Sequence, residues 1–123
     1  MNSDLIDPIV RSGTTARWSD TAAWNGLLFL CEVPEHLDAD FETQAKQMLE
    51  FLKQRLHDNR SSPSRLLSVT IYLPQAQDLP SFNEIWEAWL PTGCAPVRAC
   101  IHAVLTNPLM RAEIQAIAAI DTQ

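Results

Sequence analysis

Arg98 and Glu113 are the residues of this chain whose types and spacing best suit a chemical site. Arg98 lies in segment 95–100, Ala-Pro-Val-Arg-Ala-Cys, and Glu113 follows fifteen residues after Arg98, between an alanine and an isoleucine. A guanidinium binds a carboxylate through two parallel hydrogen bonds, and a nearby glutamate can hold or activate a water. The pair predicts a pocket for a small carboxylic acid with a hydrolytic step beside it. The alternative is a structural role for Arg98, as a salt bridge to Glu113 or as an interface charge pair, and such ion pairs are common.

Three further side chains are weighed with this pair. Cys100 has the same strand parity as Arg98, and without a triad spacing we expect a pocket wall rather than a nucleophile. His102 has that parity too and lacks metal-ligand spacing, so an interface histidine is expected and no metal site is predicted. Trp18, on an early predicted strand, is a packing residue unless that strand borders the pocket. No phosphate loop, zinc motif, nucleophile elbow or dinucleotide fingerprint is present.

The elements that must position these residues follow from periodicity. Asn25-Gly26 favours a tight turn with positive φ and predicts a β-hairpin. Apolar residues at helical spacing predict two helices, the first capped by Asp40 and the second by a capping box that begins at Ser81. The predicted order is hairpin (15–24 and 27–33), helix 41–57, strand 66–73, helix 82–90, strand 97–104 and strand 111–120.

Each of the last three strands alternates between an apolar side and a small or polar side. We expect both helices to cover the apolar side, which gives an α+β sheet with its helices on one face. The other face is too apolar to remain open, so another subunit is expected to cover it and leave a polar pocket at the joint. The predicted apolar side holds Leu67, Val69, Ile71, Leu73, Val97, Ala99, Ile101, Ala103, Ala112, Ile114, Ala116 and Ala118; the other side holds Arg98, Cys100, His102, Glu113 and Gln115.

Composition sets the class of protein. The 123 residues predict one domain, 1–123, and 46% apolar with 20% charged residues fit a globular chain. A net charge of −6 argues against nucleic acid as the main partner. The start lacks the apolar region of a signal peptide, and no apolar run reaches membrane-spanning length, so no membrane partner is predicted. Three cysteines, Cys31, Cys94 and Cys100, are an odd number that favours reduced thiols and a cytoplasmic location.

From about residue 17 to 120 the chain resembles the Rid proteins, the reactive intermediate deaminases of the YjgF family, and most closely their YoaB-like branch. The order and spacing of several segments carry the resemblance rather than any single motif. The segments are 17–20 (Arg-Trp-Ser-Asp), 25–29 (Asn-Gly-Leu-Leu-Phe), 33–35 (Val-Pro-Glu), the helix with Gln44, 68–73 (Ser-Val-Thr-Ile-Tyr-Leu), 82–86 (Phe-Asn-Glu-Ile-Trp) with Trp89, 95–98 (Ala-Pro-Val-Arg) and 112–114 (Ala-Glu-Ile).

The resemblance implies a chorismate-mutase-like α+β fold and a homotrimer with three clefts between subunits. It also implies hydrolysis of reactive enamines and imines, such as 2-aminoacrylate, to 2-keto acids and ammonia without a cofactor. By position, Arg98 matches the arginine that binds the substrate carboxylate, and Glu113 matches the glutamate that holds the attacking water. Cys100 matches a cysteine that lines the cleft, and Trp18 falls near the family's cleft tyrosine.

The sequence departs from the Rid pattern after the second hairpin strand, where a Ser-Gly-Gln turn is replaced by Leu30-Cys31-Glu32. Glycine allows close backbone approach to a ligand, whereas Cys31 brings a side chain to the predicted substrate site and Glu32 a negative charge. This departure favours an alternative function, in which a non-catalytic trimer binds a keto acid or related metabolite in the same cleft. The three cysteines leave a third possibility, a regulatory or protein-holding role exposed by oxidation.

Overall fold

A computed structural model describes residues 8–121 as one mixed sheet with two helices packed against one of its faces. The strand order is β1-β2-β3-β6-β4-β5, and every neighbouring pair is antiparallel except the parallel pair β4–β5. The predicted α+β class with both helices on one side is confirmed. The elements are β1 (Val10–Ser12), β2 (Thr21–Trp24), β3 (Leu27–Glu32), α1 (Phe41–Asp58), β4 (Leu66–Leu73), α2 (Leu79–Trp89), β5 (Val97–His102) and β6 (Glu113–Ala119).

Helix α1 provides most of the helical side of the core. Asp40 caps its first turn, because its Oδ1 accepts a hydrogen bond from the Thr43 amide at 2.9 Å. The predicted apolar stripe is confirmed, since all of its members are buried against β3, β6 and α2: Phe41, Ala45, Met48, Leu49, Leu52 and Leu56.

Helix α2 begins earlier than predicted, at Leu79 rather than residue 82. Pro80 stands in the first turn, where a missing amide hydrogen costs nothing and the fixed φ suits a helix. The predicted capping box from Ser81 is therefore wrong. The predicted apolar face is right, since Phe82 and Trp86 are buried.

The early strand predicted over 15–24 is mostly a loop. Only Thr21–Trp24 forms β2, whose tight turn to β3 uses positive φ at Asn25 and Gly26 as predicted. Trp18 lies in the loop, 60% exposed, so its placement on a strand is wrong. A short strand that was not predicted, β1, pairs with β2 at the edge of the sheet.

A β-bulge in β4 reverses the predicted facing of Leu67. The pairing of β4 with β6 shifts between Leu66 and Ser68, so Leu66 is buried and Leu67 is 46% exposed. Val69, Ile71 and Leu73 beyond the bulge face the helices as predicted.

Strand β5 faces the opposite way from the prediction. In the parallel register with β4, Arg98 pairs with the buried Val69, and Cys100 pairs with the buried Ile71. Registered neighbours share a face, so Arg98 and Cys100 lie on the helix-covered face. Val97 and Ile101 lie on the open face, 76% and 42% exposed. Among residues 8–121, no helix is long and apolar enough to cross a membrane.

Candidate active site

Arg98 projects from the second position of β5 toward helix α2. Its Nη2 donates a hydrogen bond to Oδ1 of Asn83 at 2.8 Å. Arg98 also lines a cavity of about 430 Å³ together with Trp86 and the loop that precedes β5. Within residues 8–121 no carboxylate lies at salt-bridge distance from Arg98, so the alternative of a salt bridge to Glu113 within one chain is wrong.

Asn83 is a residue of this site that the sequence analysis missed, because it was read only as part of a helix cap. It holds one nitrogen of the guanidinium, while a guanidinium carries five N–H donors. The remaining donors can serve an incoming carboxylate. The usable signal was the position of Asn83 on α2, whose apolar neighbours Phe82 and Trp86 are buried against the sheet.

Cys100 lies two residues beyond Arg98 on the same covered face and packs against the core. Burial raises the pKa of its thiol, and the positive charge of Arg98 only partly opposes that shift. A protonated thiol is a poor nucleophile, so the arrangement favours a wall residue, as the sequence suggested. His102, further along, bonds through Nε2 to the Pro74 carbonyl oxygen at 2.9 Å.

Glu113 lies on the other, open face of the sheet, at the start of β6. Its Oε2 accepts a hydrogen bond from the Cys31 thiol at 3.2 Å. Glu113 and Cys31 both line a cavity of about 420 Å³, with Tyr72 and the loop 103–106 around it. The structure thus brings together Glu113 and Cys31, two of the predicted site residues.

Cys31 is a hydrogen-bond donor in this arrangement rather than a nucleophile. Although the residue as a whole is exposed, partial burial of its thiol, the hydrogen bond to Glu113 and the charges of Glu113 and Glu32 raise the thiol pKa to about 12. The thiol therefore keeps its proton near neutral pH and presents it to the Glu113 carboxylate.

Glu32 does not add charge to this cavity, which corrects the expectation from the sequence. It is the next residue of β3 and points to the covered face, where it is buried. Arg55 of α1 donates to its Oε2 at 2.9 Å and also pairs with Asp20 at 3.3 Å. Burial raises the pKa of Glu32, and Arg55 opposes that rise.

On the open face, a further cavity of about 470 Å³ adjoins the 420 Å³ cavity beside Glu113, since Cys31 and Gln115 line both. Its other walls come from Arg11 of β1, Ser19 of the early loop, and strands β3, β4 and β6. Trp18 precedes Ser19 in that loop but does not itself line either cavity. Within residues 8–121 no group of three His, Cys, Asp or Glu could hold a metal ion.

One chain therefore does not assemble all the predicted site residues. Glu113 and Cys31 lie on the open face, whereas Arg98 and Cys100 lie on the covered face of β5, the edge strand at one end of the sheet. The sheet backbone separates the two groups. They can act on one ligand only if one chain supplies the arginine and another supplies the glutamate.

Comparison with known proteins gives consistent results. Residues 9–120 match the family model described as endoribonuclease L-PSP. The RutC family protein YoaB of Escherichia coli K12 is 39% identical over 112 residues, which cover 91% of this chain and 98% of that protein. A RutC family protein of Haemophilus ducreyi is 34% identical over 94% of this chain and 99% of its own length. A crystal structure of a YjgF family member from Neisseria meningitidis superposes with a TM-score of 0.89 at 33% identity, covering 94% of this chain and 98% of that one.

Proposed function

Because the chain belongs to the endoribonuclease L-PSP family, which includes the YjgF/Rid proteins, we propose that it hydrolyses small reactive enamine and imine acids. The products are 2-keto acids and ammonia, and 2-aminoacrylate is the simplest such substrate. The proposal includes a cytoplasmic location and no cofactor. The observation that carries it is the placement of Glu113 at the wall of an open cavity, with one carboxylate oxygen held by Cys31.

The proposed active form is a homotrimer in which the open face of each sheet meets a neighbouring copy. Large apolar side chains on or beside that face support this assembly, because Phe29, Val97, Ile101 and Val104 are between 40% and 91% exposed in the single chain. Such a patch marks an interaction surface. At a joint between copies, Arg98 from the edge strand of one chain would stand beside Glu113 of the next.

In the proposed mechanism, the guanidinium of Arg98 binds the substrate carboxylate in two-point fashion while Asn83 fixes its orientation. Glu113 Oε2 is held by Cys31, and its Oε1 accepts no hydrogen bond within residues 8–121, so Oε1 is available to a water. Fixing the substrate carbon next to that water supplies positioning, which can lower a barrier by several kcal/mol.

The proposed chemistry balances with water as the sole co-reactant. An enamine first takes a proton on carbon and gives up a nitrogen-bound proton to solvent, which makes it the imine. Water then adds to the imine carbon as Glu113 accepts its proton, and that proton passes to the nitrogen. The resulting carbinolamine passes its hydroxyl proton to the nitrogen, the C–N bond breaks with its electron pair on nitrogen, ammonia leaves, and the carbonyl of the keto acid forms.

The test compares release of keto acid from freshly generated 2-aminoacrylate and 2-iminobutyrate by the native protein and by Arg98→Ala. We expect the native rate to exceed the spontaneous one and Arg98→Ala to lose about a hundredfold or more. Lys53→Ala is the matched control, since Lys53 is an exposed cation of α1 that lines none of the three cavities described above.

Equal hydrolysis by the native protein and Arg98→Ala would overturn the proposal. Arg98-dependent binding of keto acids without any turnover would instead support the non-catalytic metabolite-binding trimer.

A further inference from the structure

Arg11 is a cation on the open face that the proposed mechanism does not use. It is the middle residue of β1 and is exposed. Within residues 8–121 no carboxylate or other side chain pairs with it, in contrast to Arg55 and Arg111, which are held by acids. Its donors are therefore available to a ligand.

Arg11 lines the 470 Å³ cavity, which also reaches Cys31 and Gln115. Among residues 8–121, no other charged residue lines that cavity, although the whole chain carries a net charge of −6. The remaining walls offer the hydroxyls of Ser19, Ser68 and Thr70 and the apolar surfaces of Phe29 and Ile117. This lining suits an anion with a short apolar body.

Strand pairing fixes where Arg11 stands relative to Glu113. Arg11 pairs with Ala22, and Ala22 pairs with Phe29, so all three form one row across the open face. Cys31 is two residues further along β3, which places its Cα about 12 Å from that of Arg11 by strand spacing and rise. Cys31 in turn contacts Glu113. The order across this face is thus Arg11, then Cys31, then Glu113.

We propose that Arg11 binds a second carboxylate, so that the site prefers dicarboxylic imine and keto acids to monocarboxylic ones of the same chain length. This inference rests on the proposed function, in which Arg98 of a neighbouring copy holds the first carboxylate and Glu113 faces the reacting carbon. The distal carboxylate then lies across the adjoining cavity and meets the Arg11 guanidinium. The planar fork of arginine suits that two-point contact.

The experiment measures binding by calorimetry with two stable probes of five carbons, 2-oxoglutarate and 2-oxopentanoate. We expect the native protein to bind 2-oxoglutarate about tenfold or more tightly than 2-oxopentanoate, in line with one added charge-assisted contact. Arg11→Gln is expected to remove this preference, and Arg11→Lys to retain part of it through its charge. Arg17→Gln is the matched control, because it removes the same charge from a residue outside the cavity.

An unchanged preference in Arg11→Gln, or equal loss of preference in Arg17→Gln, would overturn the inference. A native protein that binds both probes equally would overturn it as well. Failure of the proposed function has a different signature, namely no hydrolysis of 2-aminoacrylate by the native protein. An Arg11-dependent preference in such a protein would still support the second carboxylate site.

Discussion

The covered and the open face of the sheet use their residues in contrasting ways. On β6, Ile114 faces the helices and is fully buried, while its near neighbour Ile117 faces the open side and is only partly buried. On β3, Glu32 faces the helices and is ion-paired with Arg55, whereas the adjacent Cys31 faces the open side and bonds to Glu113. Adjacent residues of one strand therefore contribute either to the packed core or to the open face.

This contrast indicates where stability and where function reside. Acidic groups on the covered side are paired with arginines within the chain, as the Arg111–Asp78 contact at 2.7 Å also illustrates, whereas Arg98 on that side is held by the neutral Asn83. On the open side Glu113 and Arg11 retain bonding capacity at the walls of two adjoining cavities. We expect substitutions of the core and ion-paired residues on the covered side to change the free energy of unfolding, and those on the open side, like those at Arg98, to change ligand binding or association.

The largest expected effect comes from isoleucine truncation on the covered side. Ile114→Ala leaves a cavity in a fully buried site and is expected to lower the free energy of unfolding by about 2–5 kcal/mol. Ile117→Ala is the matched variant on the open side of the same strand, and we expect it to cost less and to depend on protein concentration through weakened association. Urea unfolding at several protein concentrations measures both. Equal, concentration-independent losses would remove the distinction between the faces.

An intermediate effect is expected from Arg55→Met, which removes the partner of the buried Glu32. We expect a loss of about 1.5 kcal/mol at pH 7, since Arg55 is itself partly solvated. Glu32 has a pKa raised above its ordinary 4.5 by burial. The protonated Glu32 carboxyl contributes stability that is fully present below pH 4.5 and is lost as the pH rises through the pKa of Glu32 in the folded protein. The cost of Arg55→Met should therefore grow from pH 4 to pH 7.

Urea titrations at pH 4 and pH 7 measure that cost, with Glu32→Gln as the control. Glu32→Gln with Arg55→Met should show little of this pH dependence, because the titrating carboxyl is absent. A cost that is the same at both pH values would contradict the assignment of Glu32 to the covered side.

The smallest expected effect is a change in the reactivity of Cys31. With a thiol pKa of about 12, Cys31 should react slowly with iodoacetamide at pH 8.5. Glu113→Gln removes a negative charge that raises this pKa, so alkylation of Cys31 should become several-fold faster. Mass spectrometry of the labelled peptide gives the rate, and Cys94 in the same sample serves as the internal control. An unchanged rate at Cys31 would show that Glu113 does not govern the thiol.

The fold was largely predictable because its signals are local. The Asn-Gly turn, the Asp40 cap and the apolar stripe of α1 each depend on residues close in sequence, and all three are confirmed. Weaker local signals gave wrong predictions. The capping box at Ser81 placed the start of α2 too late, because Pro80 favours an earlier first turn. The strand predicted around Trp18 was wrong because alternation of residue types does not reveal whether a partner strand is present.

The candidate site was predictable only in part. The sequence analysis placed Glu113 on the face away from the helices, which is correct. It placed Arg98 on that same open face, which is wrong. The partners Asn83 and Cys31 were not visible as partners, since hydrogen bonds across 15 and 82 residues depend on packing.

The sequence by itself determined which residues alternate, where the chain turns, and that two apolar helices would cover one side of a sheet. Strand parity states that Arg98 and Cys100 share a face, but it does not state which face that is. The tertiary structure decided this through the parallel register of β5 on β4, which sets Arg98 beside Val69 under α2 and leaves Val97 and Ile101 uncovered. The physical reason is that a strand's two faces are equivalent until its neighbour fixes the register.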